Sequence, residues 1–282
     1  MNNALAEHAH PTMVRIWSER VAIELERAWW VSVMEAQRAQ GANIPASAVL
    51  ASAACVRLSP FEADYRRLLE RIHEREMQTK HDIKARLEIF CEDAGHEFFH
   101  LGLTSADVVE NTWQIRIRDS LRHLAIQNGL DVSHLEPLYD PDDETTESHR
   151  PEDFYVLRGV HGAVGTDQDQ LDLLGSAEKV HMLNAWLCQR WGFPDYARTV
   201  PQVMHRSADL AVLTPIVSQV ATRLVLANDR TWRACINGYS NMLAAIAGDT
   251  WNEGDVSSSV VRRVAVPNLL LAVSSALNLT GA

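Results

Sequence analysis

The stretch Lys80–Thr112 reads KHDIKARLEIFCEDAGHEFFHLGLTSADVVENT, and its punctuation sets a helix on either side of a short turn. Apolar residues recur at helical spacing from Ile83, and Gly95 supplies the stop. Thr104 and Ser105 are good N-caps, with Asp107 placed in the first turn where a carboxylate favours the helix dipole. The spacing therefore predicts a helix over 83–93 and a second one that opens at Thr104-Ser105. The second runs through Val108, Trp113, Ile115, Ile117, Leu121 and Leu124 to Gly129. Between them, His96-Glu97-Phe98-Phe99-His100 spells H-E-x-x-H. On a continuous helix, histidines at i and i+4 share a face and can hold zinc, with the Glu as general base. Gly95 before the motif and Gly102 after it leave too short a helix, and no further ligand motif follows. A zinc hydrolase is the remote alternative reading.

Outward from this stretch, helix follows helix. Pro11 and Thr12 open a predicted helix over Met13–Ala39, with Trp17, Val21, Leu25, Trp29 and Val33 on its apolar face, and Gly41 stops it. Ser59-Pro60-Phe61-Glu62 reads as a capping box with proline at the first helical position. The helix it opens is interrupted near Gln78–Lys80. Asp131–Asp153 is acidic and turn-rich, with Pro137, Pro141 and Pro151, and reads as a linker or surface loop. Helices resume at Asp167. Three long apolar ones are predicted over Ser207–Asn228, Thr231–Ala247 and Ser258–Leu279. Strand-like alternation is almost absent, so the fold class is all-α, a bundle of long helices.

The chain has 282 residues, of which 46% are hydrophobic and 22% charged, enough for a sizeable core. Its formal charge of −11 disfavours nucleic acid and anionic lipid, and the densest basic spots along the sequence are pairs such as Arg66-Arg67 and Arg262-Arg263. Cys55, Cys91, Cys188 and Cys235 form no C-x-x-C and read as reduced, buried thiols. Met1–His10 lacks the pattern of a signal peptide, and apolar Val264–Ala282 reads as a core helix rather than a membrane span. A cytoplasmic location follows as the expectation, with no nucleic-acid or membrane partner.

Taken together, Lys80-His81-Asp82-Ile83, His100-Leu101-Gly102-Leu103-Thr104-Ser105-Ala106-Asp107-Val108 and Glu110-Asn111-Thr112 resemble the adenylosuccinate lyase branch of the fumarase/aspartase superfamily. Further blocks resemble it at Gly162–Thr166, at Gln202-Val203 with Arg206-Ser207-Ala208-Asp209, and at Trp251–Pro267. The resemblance extends in blocks over most of the chain from Met13. It accounts for Gly102 and the Thr-Ser pair, which the zinc reading leaves idle.

The resemblance implies a fumarase/aspartase-like helical bundle with an N-terminal domain over 1–103. A shortened central domain over 104–282 carries the acidic loop at 131–153. It implies a C–N lyase of purine nucleotide biosynthesis that splits adenylosuccinate into AMP and fumarate without metal or organic cofactor. It assigns substrate binding to Lys80, His81, Asp82, His100, Thr104, Ser105, Gln202, Ser259 and Arg263. Arginine suits phosphate because its guanidinium can contact two oxygens at once. Thr104 and Ser105 can serve both as helix caps and as an anion site, since both roles use the same helix end. A homotetramer with sites at subunit contacts is implied as well.

Two departures bear on catalysis. The family's serine loop, G-S-S-x-M-P-x-K-x-N, is not found between Ser207 and Thr231, and Ser257–Ser259 belong to the later block. The family's T/S-H motif is replaced by the acidic stretch, where Ser133-His134 and Ser148-His149 lack the helix that follows in the family. The chain also ends where the family continues into a third helical domain. The catalytic acid and base are unassigned. The alternative to a lyase is a relative that binds nucleotide or oligomerises without turnover.

Overall fold

The computed structural model describes residues 4–131, 157–160, 166–193, 196, 202–247 and 257–280, with side chains 167, 202–212, 257 and 280 outside the description. Twelve helices and no strand are present among these residues. They are α1 (Ala4–His8), α2 (Pro11–Ile16), α3 (Glu19–Ala39), α4 (Ala46–Ala54), α5 (Glu62–Thr79) and α6 (Asp82–Ala94). Next come α7 (Ser105–Asn128), α8 (Thr166–Leu174), α9 (Ala177–Trp191), α10 (Gln202–Leu226), α11 (Arg230–Ile246) and α12 (Ser257–Thr280). The all-α expectation holds. The acidic stretch lies outside the described residues beyond Asp131.

The chain divides into two compact units. One comprises 1–18, 114–157 and 197–282. Its centre is α12, which packs on α11, α10, α1 and α2. Val266, Leu269, Leu270, Val273 and Leu277 on α12, with Leu213, Val220 and Leu224 on α10 and Ile236 and Leu243 on α11, form buried apolar faces. Hydrogen bonds tie the N-terminus to α12. His10 N–H donates to Ser274 Oγ at 3.0 Å, and Ser275 Oγ donates to the Leu5 carbonyl at 2.9 Å. The segment Ser258–Leu279 is long and apolar enough to cross a membrane, with mean hydropathy 1.4, but 67% of its apolar window is buried inside the protein. Packing against four other helices accounts for its composition.

The other unit comprises 19–113 and 158–196. Helix α3 carries Trp29, Trp30, Val33 and Met34 into the interior, and α4 and α9 pack on it. α5 and α6 form a helical hairpin. Ile23, Leu58, Ile72 and Ile89 make a common core against which Tyr65, Leu68 and Leu69 lie. No disulfide joins the cysteines among the described residues, and burial pushes the Cys91 thiol up to about 11.

Two expected elements differ. The helix predicted over Met13–Ala39 is broken at Trp17–Ser18, between α2 and α3. Ser18 donates from both its N–H and its Oγ to the Arg15 carbonyl, the competition with helical bonding that serine side chains offer. The Trp17 indole donates to Ser120 Oγ at 3.0 Å beneath the Arg116 guanidinium. Ser59-Pro60-Phe61-Glu62 is not a capping box with Pro60 inside the helix. Phe61 is the N-cap and α5 starts at Glu62. The Ser59 hydroxyl instead accepts from Phe61 N–H and donates to Asp64, forming a turn ahead of the helix.

Candidate functional site

The corner at Lys80–Ser105 is built from three chain reversals within the second unit. Lys80 ends α5 in the left-handed region at φ 56°, its N–H bonded to the Glu76 carbonyl at 2.8 Å. His81 is the N-cap of α6, where Nδ1 accepts from Lys84 N–H at 3.4 Å, and Asp82 opens the helix. Lys80 and His81 are exposed. After α6, Gly95 at φ 75° releases the chain into the non-helical segment 96–104.

The histidines of H-E-x-x-H therefore do not share a helical face. His96 is held within the fold: Nδ1 accepts from Phe98 N–H, while Nε2 lies 3.0 Å from the Ala48 carbonyl and 2.8 Å from Ser52 Oγ. With Nδ1 accepting, Nε2 carries the proton, so His96 cannot act as a base toward Ser52. No group of three potential metal-ligating side chains occurs among the described residues.

His100 sits at φ 64° and is turned by Trp30, whose indole N–H donates to His100 Nδ1 at 3.0 Å. That bond leaves the proton on Nε2. Burial lowers the pKa of His100 to about 4, and the charge of nearby His81 adds to the effect. At neutral pH His100 is an uncharged donor at Nε2, with its basic nitrogen occupied by the indole.

The turn that follows is clamped from beneath. Gln37 donates to the Leu101 carbonyl at 2.8 Å and to Gln170 Oε1 at 3.0 Å. Gln170 in turn donates to the Leu101 and Gly102 carbonyls at 3.0 and 2.7 Å. Gly102 has φ 60°, and a Cβ there would lie 2.7 Å from Gln170 Nε2. Glycine is required on both counts.

At the start of α7, Thr104 and Ser105 have different tasks. The Asp107 carboxylate, fully buried, accepts from Thr104 N–H at 2.7 Å, Thr104 Oγ1 at 3.0 Å and Thr166 Oγ1 at 3.2 Å. Thr104 is thus engaged by the protein's own carboxylate. The half-buried Ser105 hydroxyl has no hydrogen-bond partner among the described residues. Asn111 anchors the next layer. Its Nδ2 donates to the Asp107 and Gly159 carbonyls, both at 2.7 Å, and its Oδ1 accepts from Gly159 N–H at 2.9 Å.

The remaining sequence-derived site residues belong to the other unit. Gln202 opens α10, and its side chain lies outside the description. Ser259 and Arg263 stand four residues apart on α12 and so share a helix face, Ser259 half-buried and Arg263 exposed. Arg262, by contrast, is buried at 4% exposure, so the pair is not a solvated basic spot. Trp30, Gln37 and Gln170 act on the corner from distant positions, and no spacing in the sequence singles them out.

No family model matches the chain. A stretch of 117 residues, 42% of this chain, is 29% identical to an adenylosuccinate lyase of Archaeoglobus fulgidus. A stretch of 58 residues, 20% of the chain, is 36% identical to an adenylosuccinate lyase of Aquifex aeolicus. These matches span 24% and 13% of those two proteins, a quarter of their length or less. Among solved structures, a fumarate lyase of Mesorhizobium sp. BNC1 superposes with TM-score 0.64 at 16% identity, over 99% of this chain and 75% of that one. The 3-carboxy-cis,cis-muconate lactonizing enzyme of Pseudomonas putida superposes with TM-score 0.68 at 14% identity, over the same shares. The chain thus shares the all-helical fold of these two solved enzymes and, over short stretches, sequence similarity with the two adenylosuccinate lyases.

Proposed function

We propose that this chain is an adenylosuccinate lyase-like protein of purine nucleotide biosynthesis. It holds a succinylated purine nucleotide at the Lys80–Ser105 corner, and its elimination activity is lost or severely reduced. The supporting observation is the set of hydrogen-bond donors on the turn before α7 and at the first residue of that helix. His100 keeps a neutral Nε2–H, and the half-buried Ser105 hydroxyl has no hydrogen-bond partner among the described residues. Donors of this kind, with Lys80 beside them, suit the carboxylates of a succinyl group.

Elimination needs more than binding. A base must take a proton from the succinyl carbon, the C–N bond must break, and an acid must protonate the departing nitrogen as fumarate leaves. His100 supplies neither step, because Trp30 occupies its basic nitrogen and it is uncharged at neutral pH. The family's serine loop and T/S-H motif are not found in the sequence. Gln202, Ser259 and Arg263 join the reading as nucleotide contacts in a cytoplasmic homo-oligomer, tetrameric as the resemblance implies.

The test pairs calorimetric titration of adenylosuccinate and AMP with an ultraviolet assay for loss of adenylosuccinate at high protein concentration. The expected result is saturable binding with little or no turnover. Turnover at an ordinary enzymatic rate would refute the loss of activity, and absence of binding to either nucleotide would refute the ligand. Light scattering checks the oligomer independently.

A further inference from the structure

A cleft of about 320 Å³ opens within the unit formed by 19–113 and 158–196, where α3, the α4–α5 connection and the first half of α5 meet. Four arginines line it: Arg27 from α3, Arg57 from the connection, and Arg67 and Arg71 from successive turns of α5. The lining carboxylates are two, Asp64 and Asp93. Such a gathering of guanidinium groups runs against the formal charge of −11 carried by the whole chain.

The four arginines are not in the same state. Arg27 forms the buried wall at 4% exposure. It donates to the Cys55 carbonyl and to Asp93, both at 2.7 Å, and its Nε has no hydrogen-bond partner. Arg71 bonds the other Asp93 oxygen at 2.9 Å and Glu92 at 3.0 Å. A single Asp93 carboxylate is therefore shared by two guanidinium groups. These contacts account for Arg27 and Arg71 as a structural staple, but they leave Arg57 and Arg67 unexplained. Both are exposed, at 82% and 74%, and their ion pairs are long: Arg57 donates to Glu24 at 3.4 Å, and Arg67 lies 4.0 Å from Asp64. Long, exposed ion pairs of this kind contribute little and yield readily to a better acceptor. Leu58, Leu68 and the Tyr65 ring supply an apolar wall. An apolar wall with a few convergent charged groups is the usual make-up of a small-ligand site.

We infer that this cleft is an anion site for a small dianion, a phosphomonoester or a dicarboxylate. Arg57 and Arg67 close on its oxygens over the Arg27–Asp93–Arg71 floor. Guanidinium groups meet both phosphate and carboxylate through paired N–H donors, so the two classes share one chemistry here. The site is separate from the Lys80–Ser105 corner. Asp64 and Lys80 stand at opposite ends of α5, an 18-residue helix about 27 Å long.

The experiment follows the thermal midpoint of the full chain against inorganic phosphate and, separately, succinate, each balanced with chloride to constant ionic strength. A saturable rise is expected with at least one of them. Response to phosphate alone assigns a phosphomonoester, and response to succinate alone assigns a dicarboxylate. In the Arg57→Ala/Arg67→Ala variant the apparent affinity falls by roughly tenfold or more, as removal of charged hydrogen-bond donors requires. Arg66→Ala, an exposed arginine on α5 that does not line the cleft, keeps the response. As a check that does not depend on the variant folding, the Nε–Hε resonances of Arg57 and Arg67 shift with the same anion in the unaltered protein. No rise above the chloride control with either anion, or a response undiminished in the double variant, would overturn the inference.

Discussion

The indole N–H of Trp30 on α3 donates to Nδ1 of His100 across 3.0 Å, joining residues seventy positions apart in the sequence. This one bond selects the tautomer of His100 and removes its basic nitrogen from chemistry. In Trp30→Phe the ring remains apolar but the donor is gone. We expect the nitrogen-15 shifts of His100 to change from a single Nε2–H tautomer to a mixture, with a loss of stability of about 1–2 kcal/mol. Unchanged His100 shifts in that variant would show that the bond does not set the tautomer.

Acid should weaken the fold through the same histidine. An unfolded histidine titrates near its ordinary value of 6.5, whereas His100 in the fold titrates at about 4. Between these values the unfolded chain holds a proton that the folded chain does not, so stability falls as pH drops through that window. The loss is on the order of 2–3 kcal/mol for a shift of this size. Urea unfolding at pH 7 and at pH 4.5 measures it. His100→Gln should lose less than the unaltered chain over the same interval, and an equal loss would assign the effect to other groups.

Gly102 and Gly95 both have positive φ, but only Gly102 is crowded. A Cβ at Gly102 meets the buried Gln170 amide at 2.7 Å, whereas one at Gly95 meets nothing within 4 Å. Gly95→Ala should cost about 1 kcal/mol, from backbone strain alone. Gly102→Ala should cost about 2–3 kcal/mol, because it adds disruption of the Gln37–Gln170 clamp to that strain. Urea midpoints of the two variants, compared directly, test the order.

Thr104 and Ser105 can be separated by mutation. Asp107→Ala strands three donors in a buried site and should destabilise the protein by about 3 kcal/mol. Ser105→Ala removes a hydroxyl without a partner among the described residues, so thermal stability should hardly change. Nucleotide affinity should nevertheless fall several-fold, by calorimetry, if Ser105 contacts the ligand. Equal affinity would exclude Ser105 from the site.

The helices were legible in the sequence where local signals agree. Gly95, Gly129 and the Thr104-Ser105 start all mark true helix ends, because caps and left-handed stops act within one turn of backbone. Local reading failed at Trp17–Ser18, where an apolar periodicity continues through a break made by Ser18 and by the contacts of Trp17 with Ser120 and Arg116. It failed again at Ser59, whose hydroxyl bonds both Phe61 N–H and Asp64 and so forms a turn ahead of α5 rather than a cap with Pro60 inside the helix.

By itself, the sequence determined that this protein is all-helical, that Lys80–Thr112 turns between two helices, and that its motif blocks resemble those of a lyase superfamily. Those properties rest on periodicity, capping and short motifs, all of which act over a few residues. Only the tertiary structure decided that His100 is neutral, that Thr104 is engaged by Asp107 while Ser105 is not, and that Arg27, Arg57, Arg67 and Arg71 line one cleft. Each of these depends on burial or on partners brought from other helices. Protonation and charge clustering follow desolvation and distance in space, which residue order alone does not specify.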